Sequence, residues 1–344
     1  MNIPKKIFTI ISPLTLFLGI LFGSLISFYI LKNKNFEIFD PLGIELNKPD
    51  FTNKISNEIK IFVSGDTMLA EQVGEYIVNE GINPFQEMLR HYERGDYIVL
   101  NLETNISTPG VGVKRNKNYT FNAPLEALGI LKSAGVDAVS LANNHTMDYG
   151  ESGMTDMLKL LDENEINYFG AGYNLDEAFE PFVADIKGIK VAFIGINDIE
   201  GYSQDASVNK PGSAPFNKER TAASIVKAKS EADLVIVYAH WGFEHNTVQD
   251  PYQVEWAHFL IDSGADMVIG AHPHVRQEHE LYKDKHIYYS LGNFIFTGMD
   301  WNPEAVLGTM LEIDIKDKKI IGVLENTVEI SYHGVPVVQG EDRL

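Results

Sequence analysis

Five separate segments of this chain end in the same way: an apolar, β-branched run gives out into side chains that can bind a metal ion. "IKIFVSGD" ends on Asp66, "YIVLNLE" on Glu103, "DAVSLANNH" on Asn144 and His145, "DLVIVYAH" on His240, and "DMVIGAHPH" on His272 and His274. The last turns at Gly270 and sets two imidazoles around Pro273. In an extended segment residues i and i+2 point the same way, so both rings are expected on one side. The chain has no cysteine, so any metal must rest on His, Asp, Glu and Asn.

Taken singly, each residue has a plainer reading. Asp66 suits a helix cap or a turn, Glu103 a solvated loop carboxylate, Asn143 and Asn144 a left-handed turn, and His240 beside Trp241 a hydrogen-bonded histidine. The shared position decides, because unrelated caps and turns have no reason to combine histidine with carboxylate. Asp66, Glu103, Asn144, His240, His272 and His274 together suit two divalent ions, and nitrogen and oxygen donors without sulfur fit Mn, Fe or Zn alike. Two such ions supply a hydroxide nucleophile at neutral pH and hold the oxygens of a phosphoryl or carboxyl group. His145 is then free to protonate a leaving group. Its alternative role is a hydrogen bond to Asp148 in the "NNHTMDYG" loop; both can hold, and the carboxylate is expected to raise the imidazole pKa.

The elements that must place these groups are legible as alternating strands and helices. "IKIFV", "YIVL", "DAVSL", "KVAFIGI", "DLVIVY", "DMVI" and "IYYSL" read as strands, with helices over "PLEALGILKSAG", "GMTDMLKLLDENE", "KERTAASIVKAKSEA" and "QVEWAHFLIDSG". This is an α/β chain with a largely parallel or mixed sheet, in which ligands gather outside the carboxyl ends of the strands. "GTMLEIDIKDKKIIGVLENTVEI" alternates with a period of two around a charged turn and predicts a hairpin, in residues 299–344, that extends or covers the same domain.

Composition limits the partners. Lys and Arg number 28 against 48 Asp and Glu, a formal charge of −20, and so acidic a surface repels phosphate backbones; nucleic acid is excluded as a partner. Residues 1–6 are a short leading segment with Lys5 and Lys6, and residues 7–31 carry no charge. As a helix the latter span roughly 37 Å at about 1.5 Å per residue, enough to cross a bilayer. The first alanine is Ala70, so an A-x-A cleavage site is missing and an uncleaved signal-anchor is expected; the glycine and serine near its end leave cleavage as the alternative. Lys32 and Lys34 balance Lys5 and Lys6, and the short leading segment favours the N-terminus inside. Residues 32–58, Asn-rich and broken by Pro41 and Pro49, read as a polar stalk.

In chain order, "GDTML", "NLETNIS", "YTFNAP", "LANNHTMDYG", "AHWGFEH", "GAHPHV" and "YSLGNFIF" resemble the bacterial capsule synthesis proteins of the CapA type, over a domain of residues 59–298. The resemblance implies a calcineurin-like metallophosphoesterase fold, a β-sandwich flanked by helices, and a part in poly-gamma-glutamate biosynthesis. It also implies a single-pass protein of the cell membrane, with its main domain outside the cytoplasm beside other synthase subunits. On the phosphoesterase pattern Asp66 takes the first aspartate, Glu103 the bridging carboxylate, Asn144 and His145 the asparagine ligand and its neighbouring acid, His240 the isolated histidine, and His272 with His274 the closing block. Two departures stand out: Met68 replaces the histidine of D-x-H, and the bridging carboxylate is Glu. Lys114, Arg115 and Lys117 form a basic loop for an anionic polymer or phosphoester, the alternative being a solvated surface loop. Glu244 and His245 are expected as outer partners of the ligands. The expected activity is hydrolysis of a phosphoester, less readily of an amide. The alternatives are an accessory protein that binds or exports the polymer without catalysis, and a surface phosphatase unrelated to capsule.

Overall fold

The computed structural model describes residues 58–343 except Glu200; the anchor expected at residues 7–31 and nearly all of the stalk lie outside the described residues. Among the described residues no helix is long and apolar enough to cross a membrane.

Fourteen strands build the two large sheets: β1 (Glu58–Thr67), β2 (Tyr97–Leu102), β3 (Ala138–Ser140), β4 (Asn167–Phe169), β5 (Phe182–Ile186), β6 (Ile189–Asn197), β7 (Leu234–His240), β8 (Met267–Ala271), β9 (His279–Tyr282), β10 (Lys285–Tyr288), β11 (Asn293–Ile295), β12 (Leu307–Lys316), β13 (Lys319–Ile330) and β14 (Pro336–Arg343). The first sheet has eight strands in the order β14-β13-β12-β1-β2-β3-β4, with β11 also paired to β1; the second has six, β9-β10-β8-β7-β6-β5. Around β1, β2 and β3 the pairing is parallel, as it is among β6, β7 and β8, and β12, β13 and β14 are antiparallel.

Strict alternation decides which side chains meet. Ile59, Ile61 and Val63 of β1 pack between the sheets against Ile236, Tyr238, Met267 and Ile269 of β7 and β8. Phe62 faces the other way, toward α1 (Glu126–Ser133) and α2 (Gly150–Glu163). Val235, Val237 and Ala239 turn to α3 (Lys218–Glu231) and α4 (Pro251–Asp262). The result is a helix, sheet, sheet, helix sandwich, and burial on both faces is why the central strands read as unbroken apolar runs. Asp250 caps α4 in a reciprocal capping box with Gln253, ahead of Pro251. The expected helices over residues 124–135 and 253–264 end at Gly135 and Gly264, both at positive φ.

Two local expectations are corrected and a third is met. Gly270 is no turn: it lies within β8, where a Cβ would run into the carbonyl oxygen of Tyr289. The strand expected over "IYYSL" is β10, ending at Tyr288, because Tyr289 already leaves the ladder. The expected hairpin is β12 and β13, turning through Asp317 and Lys318 at positive φ, and it extends the first sheet with β14 added at the edge.

Candidate metal centre

The carboxyl ends of β1, β2 and β3 from one sheet and of β7 and β8 from the other converge on a single buried cluster. Asp66 is not past its strand but within β1, at a register shift beside β2. The bulge is fixed from the second sheet by the Tyr238 hydroxyl, which donates to the Ser64 carbonyl at 2.6 Å. Glu103 follows β2 directly and is fully buried; Asn144 and His145 sit in the turn after β3, His240 closes β7, and His272 and His274 follow β8.

The two closing histidines converge by a different route from the one expected. β8 stops at Ala271, and His272 (φ 95°) and His274 (φ 57°) both take left-handed backbone conformations. The segment is a strained turn, not an extended one, and strain of this kind persists only where the surroundings impose it. Here the His272 amide donates to Asp66 Oδ2 at 3.2 Å, and His274 Nδ1 lies 2.8 Å from Asn293 Oδ1 and 3.2 Å from Asp66 Oδ2.

Glu103 is the focus of the cluster. Its Oε1 lies 3.6 Å from His240 Nε2, 3.7 Å from His274 Nε2 and 3.9 Å from His145 Nε2, yet among the described residues neither carboxylate oxygen has a hydrogen-bond partner. His272 Nδ1 is likewise buried without a partner. Leaving such groups unpaired inside a protein costs on the order of 1–3 kcal/mol each, more when charged. Burial, then the neighbouring Asp66 charge, pushes the Glu103 carboxyl well above the usual carboxylate range. Burial also holds His240 well below the usual histidine value and takes His272 to about 3, with nearby imidazoles adding to both. For Asp66 burial opposes ionisation, but the His274 hydrogen bond and charge prevail and lower its pKa; the same contact raises that of His274 against burial.

A divalent cation fits this donor set. Glu103, His272 and His274 present ligand atoms all within 4.8 Å of one another, the imidazoles of His240 and His272 are held neutral, and the unpaired oxygens need positive charge. Asn144 Oδ1, 3.0 Å from His240 Nε2, adds a carbonyl donor to the same cluster. Asp66 already accepts from Asn101 at 2.8 Å and from the His272 amide, so it is the most fully satisfied of the candidate ligands.

His145 stands at the edge of the cluster. Asp148 Oδ2 lies 2.7 Å from its Nδ1, Phe121 stacks on its ring at 4.2 Å between centroids, and the Lys117 ammonium lies 2.7 Å from Asp148 Oδ1. The expected rise in its pKa is overturned: burial outweighs the Asp148 hydrogen bond and the net shift is downward. Of the basic loop, only Lys114 lines the crevice that opens above the centre. Arg115 turns away to the Ser203 carbonyl, and Lys117 is drawn inward, donating to the Asn144 carbonyl at 2.7 Å. The crevice has a volume of 510 Å³, and Glu244 and His245 line it with His145, His274, Tyr119 and Trp301. His245 packs edge-on against Trp301 and donates its amide to the Pro273 carbonyl.

Two residues that sequence reasoning passed over, Asn101 and Asn293, and Asn143, which it named only as a turn residue, complete the arrangement. Asn101 joins Asp66 to His240, Asn143 anchors the His145 amide, and Asn293 orients His274 while tying down the Ala305 carbonyl. Each stands in a quoted block ("NLETNIS", "LANNHTMDYG", "YSLGNFIF"), the one signal that could have singled them out.

Residues 60–298 match the family described as bacterial capsule synthesis protein PGA_cap. The chain is 33% identical over 248 residues to the capsule biosynthesis protein CapA of Bacillus anthracis, covering 70% of this chain and 60% of that protein. It is 32% identical over 234 residues to the PGA biosynthesis protein CapA of Bacillus subtilis, covering 67% and 62%. The matched part thus spans about three fifths of these relatives. Among solved structures, a 5'-nucleotidase precursor from Thermus thermophilus is similar at a TM-score of 0.42 and 13% identity, over 83% of this chain and 54% of that one, a likeness too distant to carry weight. With its matched blocks supplying the residues that meet at the centre, the chain belongs to the bacterial capsule synthesis protein family.

Proposed function

We propose that this protein is a metal-dependent hydrolase of a phosphoester, anchored by residues 7–31 with its main domain outside the cell membrane, serving capsule or poly-gamma-glutamate production beside other synthase subunits. The observation that carries the reading is the buried Glu103 carboxylate, unpaired at both oxygens and surrounded by imidazoles. Glu103, Asn144, His240, His272 and His274, with Asp66 behind them, would hold one or two divalent ions of Mn, Fe or Zn. Bound there, the metal supplies a Lewis acid for the phosphoryl oxygens and lowers the pKa of water.

The chain's own groups do the rest. Asp148, braced by Lys117, holds His145 by Nδ1 so that Nε2 faces the centre. The water oxygen bonds to phosphorus, the ester P–O bond breaks, and the leaving oxygen takes a proton from His145 Nε2. Burial lowers the His145 pKa and leaves Nε2 unprotonated at rest, so Nε2 first takes the proton that water gives up and then passes it to the leaving oxygen, and the cycle balances.

The test is elemental analysis of the full-length chain purified without chelator, alongside turnover of generic phosphoesters. One to two Mn, Fe or Zn per chain with turnover that disappears in His145→Ala supports the reading; a folded chain that takes up no metal overturns it. A second reading, an accessory protein that binds polymer without catalysis, is favoured by Met68, whose sulfur accepts the Ala70 amide where the phosphoesterase pattern has a histidine ligand. Metal binding without any turnover would select it. Extraction of the full chain by detergent but not by alkaline carbonate, with the domain open to protease added outside cells, would establish the anchor and its orientation.

A further inference from the structure

The crevice above the centre is not a closed pit. It shares Asn118, Tyr119, His145 and Glu244 with a neighbouring cavity of 370 Å³, which Lys117 and Asn144 also line. On another side it shares Gln72, Phe296, Thr297, Gly298 and Met299 with a second cavity of 370 Å³ that runs past Asp300 to Ile330 and Tyr332. The two flanking cavities have no wall residue in common, so the 510 Å³ crevice lies between them. His145 lines both the crevice and the cavity beside Lys117, with His274 on the crevice wall and Asn144 on the other, so the centre is reached where these two cavities meet.

Aromatic surface flanks this path. Tyr119 is 71% exposed and Trp301 67% exposed at the crevice, and Tyr332 is 75% exposed in the cavity that runs past Asp300. Exposed rings of this size are ready contact surfaces for substituents that enter different cavities from the centre. Charge selects in the same sense. Glu71 and Glu244 outnumber Lys114 on the wall of the crevice, in a chain whose formal charge is −20. A phosphomonoester enters as a dianion near neutral pH and a phosphodiester as a monoanion, so the acidic mouth penalises the monoester more.

We propose that the site is built for a phosphodiester linkage carrying groups on both sides, the interior linkage of a chain rather than a terminal phosphate; this rests on the hydrolytic reading above. Water adds to phosphorus, one of the two ester P–O bonds breaks, and the products are an alcohol that takes the proton from His145 and a phosphomonoester left on the other segment. The two products leave through different cavities.

The experiment compares kcat/KM of the metal-loaded full-length chain on bis(p-nitrophenyl) phosphate and on p-nitrophenyl phosphate. The diester is expected to be preferred at least tenfold. Asp300→Trp, which fills one flanking cavity, and Asn118→Trp, which narrows the passage from the crevice into the other, are substitutions of exposed residues and are expected to lower the diester-to-monoester ratio at least threefold. A monoester preferred over the diester, or a ratio that neither substitution moves, overturns the inference and leaves the hydrolytic reading standing. Turnover of neither probe by a folded, metal-loaded chain overturns both.

Discussion

At the scale of single residues, Glu103 is where fold and chemistry oppose each other. Its pKa is raised above that of an unfolded chain, so it favours the metal-free fold below the ordinary carboxylate range, and that contribution is lost as pH rises through the raised value. Glu103→Gln is therefore expected to raise the melting temperature of the metal-free chain near neutral pH and to abolish the further rise that Mn or Zn brings. Calorimetry with and without metal measures both, and a variant that still gains stability from metal would remove Glu103 from the ligand set. Asn293 acts one step away, through the His274 ring. Asn293→Ala is expected to weaken metal affinity by about 10-fold to 100-fold, the usual cost of losing a group that orients a ligand. Chelator competition reads this, and Asn293→Asp, which keeps an acceptor for His274 Nδ1, should recover part of the loss.

At the scale of elements, the loops matter more than the strands that carry them. The segment around residues 112–117 is tied to the His145 loop by two backbone bonds, Val113 to the Tyr149 carbonyl and Arg115 to the Asp148 carbonyl. Gly112 makes that approach possible, with φ 81° and no room for a Cβ beside the Tyr149 carbonyl. Gly112→Ala is expected to cost on the order of 1–3 kcal/mol in urea unfolding and to lower turnover through displaced Lys117 and Asp148. Unchanged stability would show that the loop is not held as described. The strands ahead of these loops were legible because an apolar run and its polar end are local features. The left-handed turn at His272 and His274 was not, since the contacts that impose it come from Asp66 and Asn293, far away in sequence. The direction of Arg115 was hidden for the same reason: its acceptor is the Ser203 carbonyl.

For the whole molecule, histidines held low by burial set the acid limit, and His279 extends that set beyond the centre. Burial, together with the adjacent His286 ring, holds His279 at about 4 against an ordinary value of 6.5. The unfolded chain therefore takes up this proton first, and stability is lost as pH falls from about 6.5 toward 4. Asp137, raised by burial to about 6, works in the opposite sense and loses its contribution as pH rises through that value. Urea midpoints between pH 7 and pH 4 are expected to fall less steeply in His279→Gln than in the unsubstituted chain; parallel curves would show that His279 is not part of the acid limit.

By itself the sequence determined which side chains stand at the strand ends, in what order, and that nitrogen and oxygen donors without sulfur would have to do the work, because residue type, period and turn chemistry are written locally. Tertiary structure alone decided that those ends come from two facing sheets, that Glu103 is buried with both oxygens unpaired, and that Asn101 and Asn293 hold the ligands in place. Sheet pairing and burial depend on residues far apart in the chain, and their consequences, from the low pKa of His145 to the two cavities that adjoin at it, exist only once those residues have met.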